Sequence, residues 1–171
     1  MRRSSTIGSG MKRVRGCTGT ILFGLCAAAL AVSSVHAQLN QPVSASVIPR
    51  DRLLEPDALN HELQSNPHGS LILQVGSKVL FDQAHIHGAE YAGPGSRPRG
   101  IAALRSRVAN LPRGQAIVLY CGCCPWDRCP NIGSAWQLLQ QMGFTNVKVL
   151  HIANNFGSDW VSRGYRAEST H

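Results

Sequence analysis

Acidic side chains are scarce in this chain: nine Asp and Glu stand against seventeen Lys and Arg in 171 residues, a formal charge of +8. The imbalance does not describe a nucleic-acid binder. Five of the seventeen cations (Arg2, Arg3, Lys12, Arg13 and Arg15) precede the first apolar run, so removing residues 1–37 leaves twelve against nine, a net of +3. Twelve scattered cations lack the dense basic face that attracts phosphate backbones. Charged residues of both signs reach only 15%, too few for a coiled coil, while 43% apolar residues are too many for a disordered chain. No uninterrupted apolar run approaches the roughly 20 residues that span a bilayer. Repeats and low-complexity tracts are absent as well. A chain of this length forms one domain and has little room for a second.

The amino-terminal third carries its own pattern. Arg13 and Arg15 lead into an apolar stretch from Thr20 to Val32, followed by Val35-His36-Ala37. A basic segment, about a dozen apolar residues and small residues at −3 and −1 make a secretory signal peptide. We therefore expect a leader over residues 1–37, with Met11 an alternative start, and export to a periplasm or the exterior with no stable membrane anchor after cleavage. Cys17 and Cys26 would leave with the leader. Residues 38–52, polar and small at first, read as a flexible lead-in to a folded region over 53–168.

Past the leader, breakers punctuate an alternation of short helices and strands. Glu55-Pro56-Asp57 opens a helix with Leu59 and Leu63 one turn apart. Leu71-Ile72-Leu73-Gln74-Val75 reads as a strand stopped by Gly76, and residues 84–91 as a loop feeding a second short strand. A connector rich in Gly and Pro (93–100) precedes Ile101, Leu104, Val108 and Leu111 at helical spacing. Residues 116–120 form an apolar strand without alternation, as expected where both sheet faces are covered. Residues 135–142 are helical up to Gly143, residues 147–150 form a further strand, and Asp159 to Gly164 a last helical turn. Strands alternating with helices predict an α/β fold: a central, mainly parallel sheet in a three-layer α/β/α arrangement. Ligands of such sheets sit beyond the carboxyl ends of the strands.

At that place stands Cys121-Gly122-Cys123-Cys124-Pro125-Trp126-Asp127-Arg128-Cys129-Pro130-Asn131. All four cysteines beyond the leader fall within nine positions. A thiol between a strand's carboxyl end and a helix start meets unpaired backbone N–H groups and the positive end of the helix dipole. Such a nest favours thiolate and would lower the Cys121 pKa below its free value of about 8.5. Arg128 would add positive potential, Asp127 would oppose it, and Trp126 would rim a pocket. Gly122, Cys123, Cys124, Trp126 and Arg128 are thus candidate anion-binding residues around the Cys121 thiolate.

The order of these features resembles the rhodanese-like domain. Members carry Gly-His-Ile-Pro-Gly-Ala where this chain has Ala84-His85-Ile86-His87-Gly88-Ala89, a strand ending in Tyr-Cys as at Tyr120-Cys121, a helix ending in Gly-Phe as at Gly143-Phe144, and a late Trp before Gly-Tyr as at Trp160 and Gly164-Tyr165. The resemblance runs from about residue 54 to 166. It implies a sulfurtransferase in which Cys121 takes a sulfane sulfur from a small sulfur-containing anion such as thiosulfate, holds it as a persulfide and passes it to a thiol or cyanide. It implies no cofactor, and no feature demands an oligomer. Three departures stand out. Gln74-Val75-Gly76 replaces the usual Asp-Val-Arg, removing a charged support of the loop. The cysteine loop is about five residues longer than the usual one, and Asn154-Asn155 replaces a late Gly-Gly.

Other chemistries compete for the same cysteines. Cys121 and Cys124 have the spacing of disulfide exchangers. Of the three full pairings, Cys121 with Cys124 and Cys123 with Cys129 is the least strained on spacing. Thiolates at 121, 123, 124 and 129, with His85 or His87 near, suit Zn²⁺ or Cu⁺, although two separated Cys knuckles are lacking. The phosphatases that share the rhodanese fold use Cys-x5-Arg. Here Arg128 lies one step too far from Cys121, which disfavours that reaction.

Overall fold

The computed structural model describes residues 44–170. The expected leader over 1–37 and the first residues of the lead-in lie outside them. Among the described residues no helix is long and apolar enough to cross a membrane. Five strands form one parallel sheet in the order β1 (Leu53–Leu54), β6 (Val147–Leu150), β5 (Ile117–Tyr120), β2 (Leu71–Gln74) and β4 (Glu90–Tyr91). The helices are α1 (Pro56–Ser65), α2 (Lys78–Gln83), α3 (Pro98–Val108), α4 (Pro130–Gln141) and α5 (Phe156–Asp159). A separate antiparallel pair joins β3 (His85–Ile86) to β7 (Ala167–Glu168).

The layering follows from the period of two along each strand. Ile117, Leu119 and Cys121 share one cluster with Leu104 and Val108 of α3 and Ile132, Ala135 and Leu139 of α4. Val118 and Tyr120 fall in the other, with Leu59 of α1, Phe81 of α2, and Phe156 and Trp160 beside α5. Both faces of β5 are therefore covered, which is why its sequence shows no polar alternation. Leu119 has no exposed surface, so Leu119→Ala carries the roughly 2–5 kcal/mol cost of a core truncation. The expected three-layer α/β fold is the observed one.

Some expectations need correction. The lead-in is packed structure from residue 44 onward: 3-10 turns at Ala45–Val47 and Arg50–Arg52 carry Ala45 and Ile48 into the cluster shared with α4. Two small apolar anchors suffice, and they do not stand out among Ser and Pro. Helix α2 was not foreseen, because it buries only Phe81 and leaves Val79 and Leu80 exposed, so it lacks a readable stripe. The antiparallel β7 is two residues long, too short for a period to register.

Candidate active site

Helix α4 explains how the cysteine loop is held. Its far end closes on itself: Gly143 adopts φ +81°, its N–H donates to Gln140, and the Phe144 N–H donates to the Leu139 carbonyl. That is the Schellman arrangement, and a residue with a Cβ would be strained there. Its near end is different. Cys129 occupies the N-cap position without a side-chain capping bond, and Pro130 at the first helical position has no N–H to satisfy. The helix begins at Pro130, five residues before the stretch read as helical from the sequence, so Asn131 lies inside its first turn.

Cys121 follows β5 on the α4 side of the sheet and is 3% exposed. Gly122 turns the chain at φ +85°, and its carbonyl accepts from the Phe156 N–H at 2.9 Å. The turn brings Cys123 Sγ back to 3.2 Å from Cys121 Sγ, and Cys124 Sγ lies 3.3 Å from Cys123 Sγ. Cys121, Cys123 and Cys129 present their sulfurs within 4.8 Å of one another. Among the described residues, Cys121, Cys123, Cys124 and Cys129 are free of disulfide bonds. The nearest sulfur to Cys121 is thus that of Cys123, not the partner Cys124 that spacing favoured, because Gly122 folds the chain back within two residues.

Two carboxamides hold this cluster, and neither role was foreseen. Asn131 Nδ2 faces Cys121 Sγ at 3.3 Å, while its Oδ1 accepts from the Ser96 N–H at 2.9 Å. The second bond fixes which end of the amide meets the sulfur. Gln74 Nε2 donates to the Cys121 carbonyl at 3.0 Å, and Gln74 Oε1 accepts from the Gly76 N–H at 3.2 Å. A neutral side chain thereby takes the place of the charged loop support that the sequence lacks. Gly76 is required by approach: a Cβ there would lie 2.6 Å from the Cys121 carbonyl oxygen and 2.8 Å from its sulfur. These contacts join positions up to 47 apart in the chain, so no local motif announces them.

The electrostatics correct the simplest picture of Cys121 as the resting thiolate. Hydrogen bonding with Cys123, helped by burial, pushes the Cys121 pKa up to about 11, against the opposing hydrogen bond with Cys129 and the weaker one from the Cys123 N–H. Donation from Cys121 and Cys129 pulls Cys123 down to about 2. Cys129, sharing its proton with both, is raised further. Both shifts favour charge on the exposed Cys123 sulfur, where water helps to solvate it, over the buried Cys121 sulfur. Of the first-turn amides, the Asn131 N–H acts on Cys129.

A cavity of about 420 Å³ opens at the carboxyl ends of β2 and β5. Cys121, Gly122 and Cys123 form one wall, Leu80, Gln83 and Ala84 another, and Asn155, Phe156, Gly157 and Val161 a third. No lining residue is Lys, Arg, Asp or Glu. Cys124, Cys129, Trp126 and Arg128 are not among them. Trp126 packs edge-on against His151, 6.1 Å between centroids, and its N–H donates to Ile152, so it braces the loop and does not rim the cavity. Arg128 sits in the exposed 3-10 turn Trp126–Arg128 and adds no charge to the cavity wall. The histidines also lie elsewhere: His85 Nδ1 meets the Phe81 carbonyl, and Glu168 pairs with both His85 and His87. Asn155 caps α5 through the Ser158 N–H, while the Asn154 N–H donates to Asp159.

Comparison with known proteins decides the family. A sequence model described as the rhodanese-like domain matches residues 55–152. The chain belongs to the rhodanese-like domain family. Solved structures agree on the fold of this rhodanese-like domain. A Bacillus halodurans protein superposes with a TM-score of 0.54 at 18% identity, covering 84% of this chain and 87% of its own. The rhodanese-like domain of an Anabaena sp. protein gives 0.51 at 22% identity, covering 69% and 79% respectively. A single-domain sulfurtransferase of Saccharomyces cerevisiae gives 0.50 at 11% identity, covering 66% and 90%. No match was found among curated proteins. The fold is thus that of the rhodanese-like domain.

Proposed function

We propose that this rhodanese-like domain is an exported sulfurtransferase. It moves a sulfane sulfur from a small donor of the thiosulfate type to a thiol or cyanide acceptor, through a persulfide on Cys121. One observation carries the reading: Cys121 lines the cavity at the end of β5, and its Sγ has Asn131 Nδ2 3.3 Å away and Cys123 Sγ 3.2 Å away. The Cys121 thiol gives up its proton to solvent, its thiolate attacks the outer sulfur of thiosulfate, the donor S–S bond breaks and sulfite leaves with the bonding pair. In the second half-reaction an acceptor thiolate or cyanide takes the outer sulfur and Cys121 thiolate departs. Asn131 supports the anionic sulfur in both states, as a fixed dipole that needs no reorganisation. The cavity wall offers no cationic side chain and includes the readily ionised Cys123, which disfavours a dianion, so persulfides of small thiols should load the protein faster than thiosulfate. Anaerobic exposure of reduced protein to either donor should add one sulfur to the intact mass, and Cys121→Ser should add none. Sulfur retained by Cys121→Ser contradicts the assignment.

A further inference from the structure

Sulfur transfer through Cys121, with Cys123 beside it, leaves Cys129 without a role. Yet Cys129 is buried and its sulfur completes a triangle with the other two, all within 4.8 Å. A metal bound by three thiolates at ~2.3 Å in one plane holds its sulfurs about 4 Å apart. The triangle has that size once the 3.2 Å contact of Cys121 with Cys123 opens slightly.

We propose that Cys121, Cys123 and Cys129 form a three-thiolate site for Cu(I). An all-sulfur donor set selects a soft ion. Structural zinc takes four ligands, and among the described residues no fourth metal-binding side chain joins this triangle. His85 and His87 are paired with Glu168, and His151 with Glu55 at 2.6 Å. Cys124 Sγ lies 3.3 Å from Cys123 Sγ and also acts on Cys129, but it falls outside the group whose sulfurs all lie within 4.8 Å of one another, so it is placed to deliver the ion and not to complete a tetrahedron.

The surroundings suit such a site. Two ligands are buried and the third is exposed, which leaves one entry route. Asn131 Nδ2 supplies an outer-shell hydrogen bond to Cys121 Sγ, and the Ser96 N–H keeps that amide in place. On binding, each ligand that is still protonated gives its proton to solvent as its sulfur–copper bond forms. Copper stays in the +1 state and no electron is transferred. The site does not rest on the sulfurtransferase reading. The two activities do share Cys121, so bound copper excludes the persulfide.

The test uses reduced full-length protein under anaerobic conditions, titrated with Cu(I) against a chromogenic Cu(I) chelator. One copper per chain should be withheld from the chelator, with thiolate-to-copper absorption in the near ultraviolet. Cys129→Ser, and Cys123→Ser at its exposed position where folding is not in question, should each weaken binding more than the roughly 10–100-fold typical of losing an outer-shell partner. Cys124→Ser should still withhold one copper. A wild-type chain stripped by the chelator, a Cys123→Ser chain that binds like wild type, or preferential retention of Zn(II) overturns the site. Sulfur uptake is followed in the same preparation without copper: uptake without copper retention defeats the metal site alone, and copper retention without uptake supports it while defeating sulfur transfer.

Discussion

The two ends of α4 are built on opposite plans. At the carboxyl end, Gly143 and Phe144 return their N–H groups to the helix, and every bond serves closure. At the amino end no side chain caps the helix, Pro130 removes a donor, and Asn131 and Cys129 turn their chemistry toward the other sulfurs. One helix thus carries a stop that stabilises and a start left open for chemistry. Changes at the first end should alter stability and spare sulfur uptake; changes at the second should do the reverse.

The largest effect is expected from Gly76→Ala. Its Cβ would press on both the carbonyl and the sulfur of Cys121, so the loop must shift. Sulfur loading, read by mass, should fall by orders of magnitude, with a smaller drop in melting temperature. Asn131→Leu comes next. Losing a hydrogen bond to a charged group costs about 1.5–3 kcal/mol, so single-turnover loading should slow on the order of 10- to 100-fold, whereas Asn131→Asp, which sets a carboxylate against the sulfur, should slow it more. Gly143→Val belongs to the other end. Forcing a side chain into the left-handed region costs roughly 1–2 kcal/mol, which denaturant titration should register with loading unchanged.

The smallest effect concerns pH. The Gly88 N–H bond, with burial opposing and His87 assisting, holds Glu168 below its ordinary value. A carboxylate lowered in the folded state contributes stability above its unfolded pKa and loses it as pH falls through the lowered folded value. Glu168→Gln should therefore flatten the acid side of the stability curve slightly, leaving sulfur loading untouched. A loading defect in that variant would mean that the β3–β7 pair reaches the site.

Much of this was legible in the chain itself. Burial of both β5 faces, the Gly143-Phe144 stop and the placement of Cys121 after Tyr120 all follow from short-range patterns. The support of the site was not legible, because Gln74 reaches Cys121 across the sheet and Asn131 is oriented by Ser96, 35 positions away. Loop side chains misled for a related reason. Trp126 and Arg128 adjoin the cysteines in sequence, but the 3-10 turn at Trp126–Arg128 carries them away from the cavity. Charge placement failed because the resting thiolate depends on how three sulfurs share their protons, which only their positions in space decide.

The most direct measurement is peptide-level mass analysis of reduced, metal-free protein after one anaerobic turnover with a sulfane-sulfur donor. A single added sulfur on Cys121, with Cys123, Cys124 and Cys129 unmodified, is the predicted result. An added sulfur on Cys123, the exposed and ionised neighbour, would contradict the assignment of Cys121 as the sulfur carrier.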